Sequence, residues 1–237
     1  MMTEKGDAEI RPPKEKLSPF NMPDLTINIG EEKLYVSRDY LMEVSQVFRK
    51  ILTFEENDPL EIEFHNKDPT TFALFLRHTL PGFDGLILQE ETARLILPLA
   101  YEFQAETPLF KIDGVLATCM KGKKHIHLKT LIDELLLAEL YSLPKYLTAC
   151  IEKASTCSHK KFEIHPKFNE ISSDTKSKIF LMRCAEMESN IEDCMQVIAE
   201  RYCWCDECRC KEKLDKANNI LNCIKEKDNL ISYLNKA

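Results

Sequence analysis

The chain has 237 residues and 44% hydrophobic content, enough for one large domain or two small ones with a buried core. Its net charge of −7 argues against general affinity for nucleic acid, and no apolar run approaches the ~20 residues of a membrane span. The stretch from Met1 to Lys16 lacks a signal-peptide core, so the expectation is a cytosolic or nuclear protein, where ten cysteines serve as core thiols or metal ligands more often than as disulfides.

Residues 1–23 read as a disordered tail, because Pro12, Pro13 and Pro19 exclude a helix through most of it. Order begins at Asp24. Leu25, Ile27 and Ile29 alternate with Thr26 and Asn28, the pattern of a half-buried strand. Gly30 to Glu32 is a turn, and Leu34 and Val36 continue the alternation, so the two strands form a hairpin. The period then changes. Tyr40, Leu41, Val44, Val47, Phe48, Ile51 and Leu52 recur every three or four residues, which is helical spacing. Ser45 stands where an N-cap would divide two short helices.

An acidic loop from Thr53 to Pro59 leads to a third strand, with Leu60, Ile62 and Phe64 on one face. Asp68 followed by Pro69 starts a helix, a capping carboxylate ahead of a proline that needs no N–H. Phe72, Phe75, Leu76, Thr79 and Leu80 form its buried face, and Pro81-Gly82 ends it. Leu86 to Leu88 reads as a last short strand. Thr92 to Phe103 is helical, with Pro98 expected to kink or shorten it. Thr107-Pro108 opens a helix that runs toward Met120.

In order, these segments resemble a BTB/POZ domain over about Asp24 to Cys119. Asp24, Val36, Leu41, Ser45 and Phe48 fall where that family's pattern places them, while Ser37 stands where many members have His. Leu97 to Ala105 resembles the family's Leu-Ala helix. The resemblance implies an α+β domain, a small mainly three-stranded sheet covered by helices, that works as a protein-interaction module and a homodimer. It also implies that Asp24 and Arg38 form a buried acidic–basic pair with a structural role. In cullin-binding members a hydrophobic-x-acidic motif follows the second helix of the helical hairpin, and Phe54-Glu55-Glu56 has that spelling. Phe54 is then an anchor in a cullin pocket and Glu56 its polar rim. The other reading tucks Phe54 into the core beside an acidic loop.

Beyond a basic linker from Lys121 to Lys124, an all-helical region follows. Leu128, Leu131, Ile132, Leu135, Ala138 and Tyr141 mark an amphipathic helix, and Tyr146, Leu147, Cys150 and Ile151 its partner beyond Leu143-Pro144. This pair, 120–155, resembles the three-box or BACK-like segment that widens the cullin-binding surface in ubiquitin-ligase adaptors. Residues 156–173 read as an exposed linker. Residues 174–237 read as a helical tail. Asp174 caps its first helix, a second centres on Ile191 and Cys194, and the last spans Leu214 to Leu234.

The tail holds the sharpest local oddity. Cys203, Cys205, Cys208 and Cys210 place four thiols in eight residues, beside Trp204. Cys205 and Cys208 have the two-residue gap of a zinc knuckle, and Cys194, Cys223 or His159 can complete a site. The alternative is a Cys-rich turn whose thiols pack without metal. His125 and His127 would face one way on a strand, and a solvated linker is the plainer reading. Lys121, Lys123 and Lys124 read as a solvated run.

No catalytic motif appears, and six scattered glycines make no phosphate-cradling loop. The chain reads as a nonenzymatic dimeric adaptor joining an unknown target protein to a cullin-three-type scaffold, needing no cofactor beyond a possible zinc. A homo-oligomerising scaffold without ligase function is the alternative, and a metal- or redox-responsive protein acting through Cys203 to Cys210 a third. No substrate-binding MATH, Kelch or classical zinc-finger domain is recognisable, so recruitment falls to the tail from Phe162 or to a partner chain.

Overall fold

A computed structural model describes residues 24–54, 60–83 and 85–201, with backbone alone at 54, 159, 160 and 197–201. It opens with strand β1 (Leu25–Ile29) and strand β2 (Glu32–Val36), paired antiparallel so that Ile27 lies opposite Leu34. Gly30 takes a positive φ of 60° at the turn, the left-handed region that glycine enters at little cost. Helices α1 (Arg38–Val44) and α2 (Gln46–Phe54) follow. Ser45 is extended between them, and its Oγ accepts the Phe48 N–H at 3.1 Å, as an N-cap should.

Strand β3 (Glu61–Glu63) pairs parallel to β1, giving the order β2-β1-β3. Only three residues pair, so the expected alternation is cut short. Ile62 is buried, while Leu60 lies ahead of the strand and is 71% exposed. Helix α3 (Pro69–Thr79) starts as its sequence dictates: Asp68 accepts the Thr71 N–H at 2.7 Å. Bonds from the Thr71 hydroxyl and N–H hold the Asp68 carboxyl below its usual range. The predicted apolar face of α3 is buried from Phe72 to Leu80. Five phenylalanines fill the space between helices and sheet. Phe48 stacks on Phe103 at 4.5 Å, and Phe64, Phe72 and Phe75 surround the pair. Truncating any buried member would cost about 3–5 kcal/mol.

Helices α4 (Glu90–Glu102) and α5 (Glu106–Gly122) complete the first region. Three expectations change here. Residues 86–88 form no strand; none of the three described strands pairs with them, and Leu86 closes a turn onto the Phe83 carbonyl instead. Pro98 neither shortens nor divides α4. It sits on the exposed side, where the carbonyl freed by its missing N–H can be hydrated. The basic linker is shorter than expected, since α5 runs through Lys121 to Gly122; a cation suits the negative end of the helix dipole.

Helices α6 (Leu128–Leu140) and α7 (Pro144–Ser155) form the predicted pair, turned at Ser142 with φ 52°. Residues 156–173 are not an exposed linker. They hold helix α8 (His159–Glu163) and a 3-10 turn (Pro166–Glu170), and Phe162 and Ile171 are each only 2% exposed. Two elements this short have no readable period. Helix α9 (Ser173–Arg201) is one helix where two were expected. Its start is capped by Ser172, whose Oγ accepts the Thr175 N–H, and Asp174 pairs with Lys178 in the first turn. The predicted helix from Leu214 to Leu234 lies outside the described residues.

One compact unit holds β1 to α5 together with Ala138–Leu147, and the other holds His125–Leu137 with the chain from Thr148 on. No described helix is long and apolar enough to cross a membrane.

Candidate functional site

Helix α2 ends at Phe54, the residue expected to anchor a partner. The last four carbonyls of any helix lack intrahelical donors, so the end of α2 needs outside support. Arg38, the first residue of α1, supplies it: its guanidinium donates to the Leu52 carbonyl. A cation there also suits the negative end of the α2 dipole. Asp24 in turn accepts the Arg38 backbone N–H at 2.6 Å. The expected buried acidic–basic pair therefore takes another form. Asp24 is exposed, and its carboxylate satisfies an orphan N–H at the start of α1 while the guanidinium serves α2. The Phe54 side chain and Glu56 lie outside the described residues, so the choice between anchor and plug falls there too.

The region around α2 is tied in at two further points. Ser45 is 2% exposed and donates its hydroxyl proton to the Phe103 carbonyl, joining the start of α2 to the end of α4. Gln104 then takes a positive φ of 48° as the chain reverses into α5. Lys67, soon after β3, ion-pairs with Glu102 at 2.5 Å.

Within the same unit, Asp113 holds the start of α7. This carboxylate on α5 is 4% exposed and accepts the Tyr146 N–H at 2.8 Å and the Lys145 N–H at 3.1 Å. Those are first-turn donors of α7, beyond the N-terminal Pro144, so α5 caps a helix that begins some thirty residues later. Sequence reasoning missed this role, because an acid in a helix reads as solvated. The signal was its place beside Ile112 and Leu116, which are fully buried. Nearby, Tyr101 and Tyr141 meet edge to face at 5.2 Å, and Lys145 covers the exposed ring of Phe110 at 3.6 Å. Tyr101 and Leu140 present further apolar surface.

Among the described residues no group of His, Cys, Asp and Glu is arranged to hold a metal. Cys203, Cys205, Cys208, Cys210, Trp204 and Cys223 lie outside those residues. Cys194 is exposed on α9, and the His159 side chain is not described. His125 and His127 lie in an irregular stretch before α6, not on a strand, and the His127 carbonyl accepts the first α6 bond from Leu131. Burial pushes the Cys119 thiol up, and neighbouring Glu90 adds to it, which disfavours a reactive thiolate.

Comparison with known families agrees with the architecture. Residues 14–119 match the BTB/POZ domain. The match begins inside the stretch read as a tail. No curated relative matches the sequence. The chain carries a BTB/POZ domain, a fold that serves as a protein-interaction module.

Proposed function

We propose that this BTB/POZ-domain chain is a dimeric adaptor that delivers a bound target to a cullin-three-type RING ubiquitin ligase in the cytoplasm or nucleus. The observation that carries the reading is the end of α2. In the sequence a Phe-Glu-Glu run begins at Phe54, the last residue of α2, and Arg38 braces the carbonyl two residues earlier. An apolar anchor with a carboxylate rim binds best when the backbone presenting it is already fixed, because less ordering entropy is lost. Within the same unit Asp113 holds the start of α7, and Leu140 at the end of α6 is exposed. The tail from Phe162 recruits the target.

The test is a titration of the cullin-three N-terminal domain with the wild-type chain and with Phe54→Ala plus Glu56→Ala. Loss of a central anchor should weaken binding by about 30-fold or more, with mass and circular dichroism unchanged. Equal affinity in the double variant would remove this motif from the account. Should the folded wild-type chain ignore the cullin, the chain is an assembly module without ligase function.

A further inference from the structure

We infer that the free edge of β2 and the groove beside α3 form a docking site for an extended acidic segment of a partner protein. The inference stands apart from the cullin reading and begins with hydrogen-bond parity. The Thr26 N–H donates to the Leu60 carbonyl, and the Phe64 N–H donates to the Asn28 carbonyl. Thr26 and Asn28 therefore turn their backbone groups toward β3, and Leu25, Ile27 and Ile29 turn theirs toward β2. In the observed register Ile27 faces Leu34, so Glu32, Leu34 and Val36 bond to β1. Lys33 and Tyr35 are left with their N–H and C=O groups pointing outward. Nothing among the described residues pairs with them: β2 is the end strand of the sheet.

Such an edge is a template for an added strand. Here it runs beside a groove of about 700 Å³, lined by β2 from Lys33 to Tyr35 and by Ala73 and Leu76 of α3. Phe83 and Leu86 complete its described lining. An added strand would place alternate side chains on opposite faces. The one opposite Leu34 would enter the groove over Ala73 and Leu76. Those opposite Lys33 and Tyr35 would lie on the outer face of the sheet. Among its described residues the lining carries two cations, Lys33 and Arg77, and no acid. Lys33 pairs with Glu61 at 3.8 Å, and both side chains are more than half exposed, so that pair holds the ammonium weakly. Tyr35 is itself 54% exposed and offers a ring to the incoming chain. The chemistry fits a segment in which an apolar residue is flanked by carboxylates. Main-chain bonds would supply the affinity, and the groove and cations the choice of partner.

Two substitutions test this without touching the core. Tyr35→Pro removes an outward N–H, a change that edge strands tolerate. Ala73→Glu places a carboxylate in the groove from a half-buried position on α3. The full chain is titrated, by fluorescence anisotropy, with a labelled nonapeptide of alternating Glu and Leu and with its Lys and Leu counterpart. The inference requires that the acidic peptide bind, weaken as salt rises, and slow amide exchange at Lys33 and Tyr35. Each variant should lose about tenfold or more in affinity. Failure of the acidic peptide to bind the folded chain overturns it, as does equal binding of the basic peptide or of either variant. So do Lys33 and Tyr35 amides already protected in the free chain, the result expected if residues 1–23 or a second copy fill the edge.

Discussion

Ser45 and Asp113 are polar residues in apolar surroundings, and each completes backbone groups from another segment. Ser45 caps α2 and donates to the end of α4; Asp113 caps α7 from α5. Removing either side chain strands buried backbone groups, so Ser45→Ala and Asp113→Ala should each cost about 1–2 kcal/mol, read as a lower urea midpoint. Asp113→Asn should recover part of the loss, since an amide oxygen still accepts. His78 adds a pH dependence. It is 8% exposed, and burial, helped by the Lys111 charge, holds its pKa below the ordinary 6.5. The unfolded chain therefore takes up this proton first as pH falls. The stability linked to His78 is present above pH 6.5 and is lost as pH falls through the lower folded-state value. His78→Phe should flatten that limb of the stability profile below pH 6.5, measured by thermal melts across the range. Residue roles of this kind were half legible. Ser45 announced itself by its place between two apolar runs. Asp113 did not, because the group it serves lies in another helix.

Elements with a strong period or a cap were readable, and short ones were not. The hairpin, the Asp68-capped α3 and the α6–α7 pair follow from alternation, 3.6-residue spacing and breakers. Leu86 to Leu88 looked like a strand because apolar runs do, yet a strand needs a partner. α9 was read as two helices because apolar residues thin out after Cys184; with no Gly or Pro between Phe180 and Ile191, nothing breaks it. Residues 156–173 hide their order in isolated buried side chains. Arg183 of α9 ties their start to α7: its guanidinium donates to the carbonyls of Ser155 at 2.9 Å, Ala154 at 3.1 Å and Cys157. It closes the end of α7, where carbonyls lack donors. Arg183→Ala should speed amide exchange through residues 156–172 while leaving β1 to α5 unchanged. Arg183→Lys should fail to restore protection, since one ammonium cannot reproduce the planar fork. Unaltered exchange in Arg183→Ala would show that Phe162 and Ile171 order the segment alone.

At the scale of the molecule, the order of elements was the legible quantity. A hairpin, a divided helix, a third strand, a capped helix and a Leu-Ala helix specify one arrangement, and the family match covers it. What was not legible is chemical. Phe54 is one aromatic at one helix end, and the physics of anchoring and of plugging begin with the same side chain. The bracing of Leu52 by Arg38 came only with the structure, because it joins residues fourteen apart through a backbone carbonyl. On the adaptor account, Arg38→Ala should weaken cullin binding while leaving Phe54 and Glu56 in the sequence, an effect no contact-only account predicts. The measurement that bears most directly on the whole is light scattering of the purified full chain with and without the cullin-three N-terminal domain. The adaptor account predicts a dimer that takes up one cullin domain per chain at submicromolar concentration, on the order of −8 kcal/mol or tighter. A folded chain whose mass does not change when the cullin domain is added would contradict it.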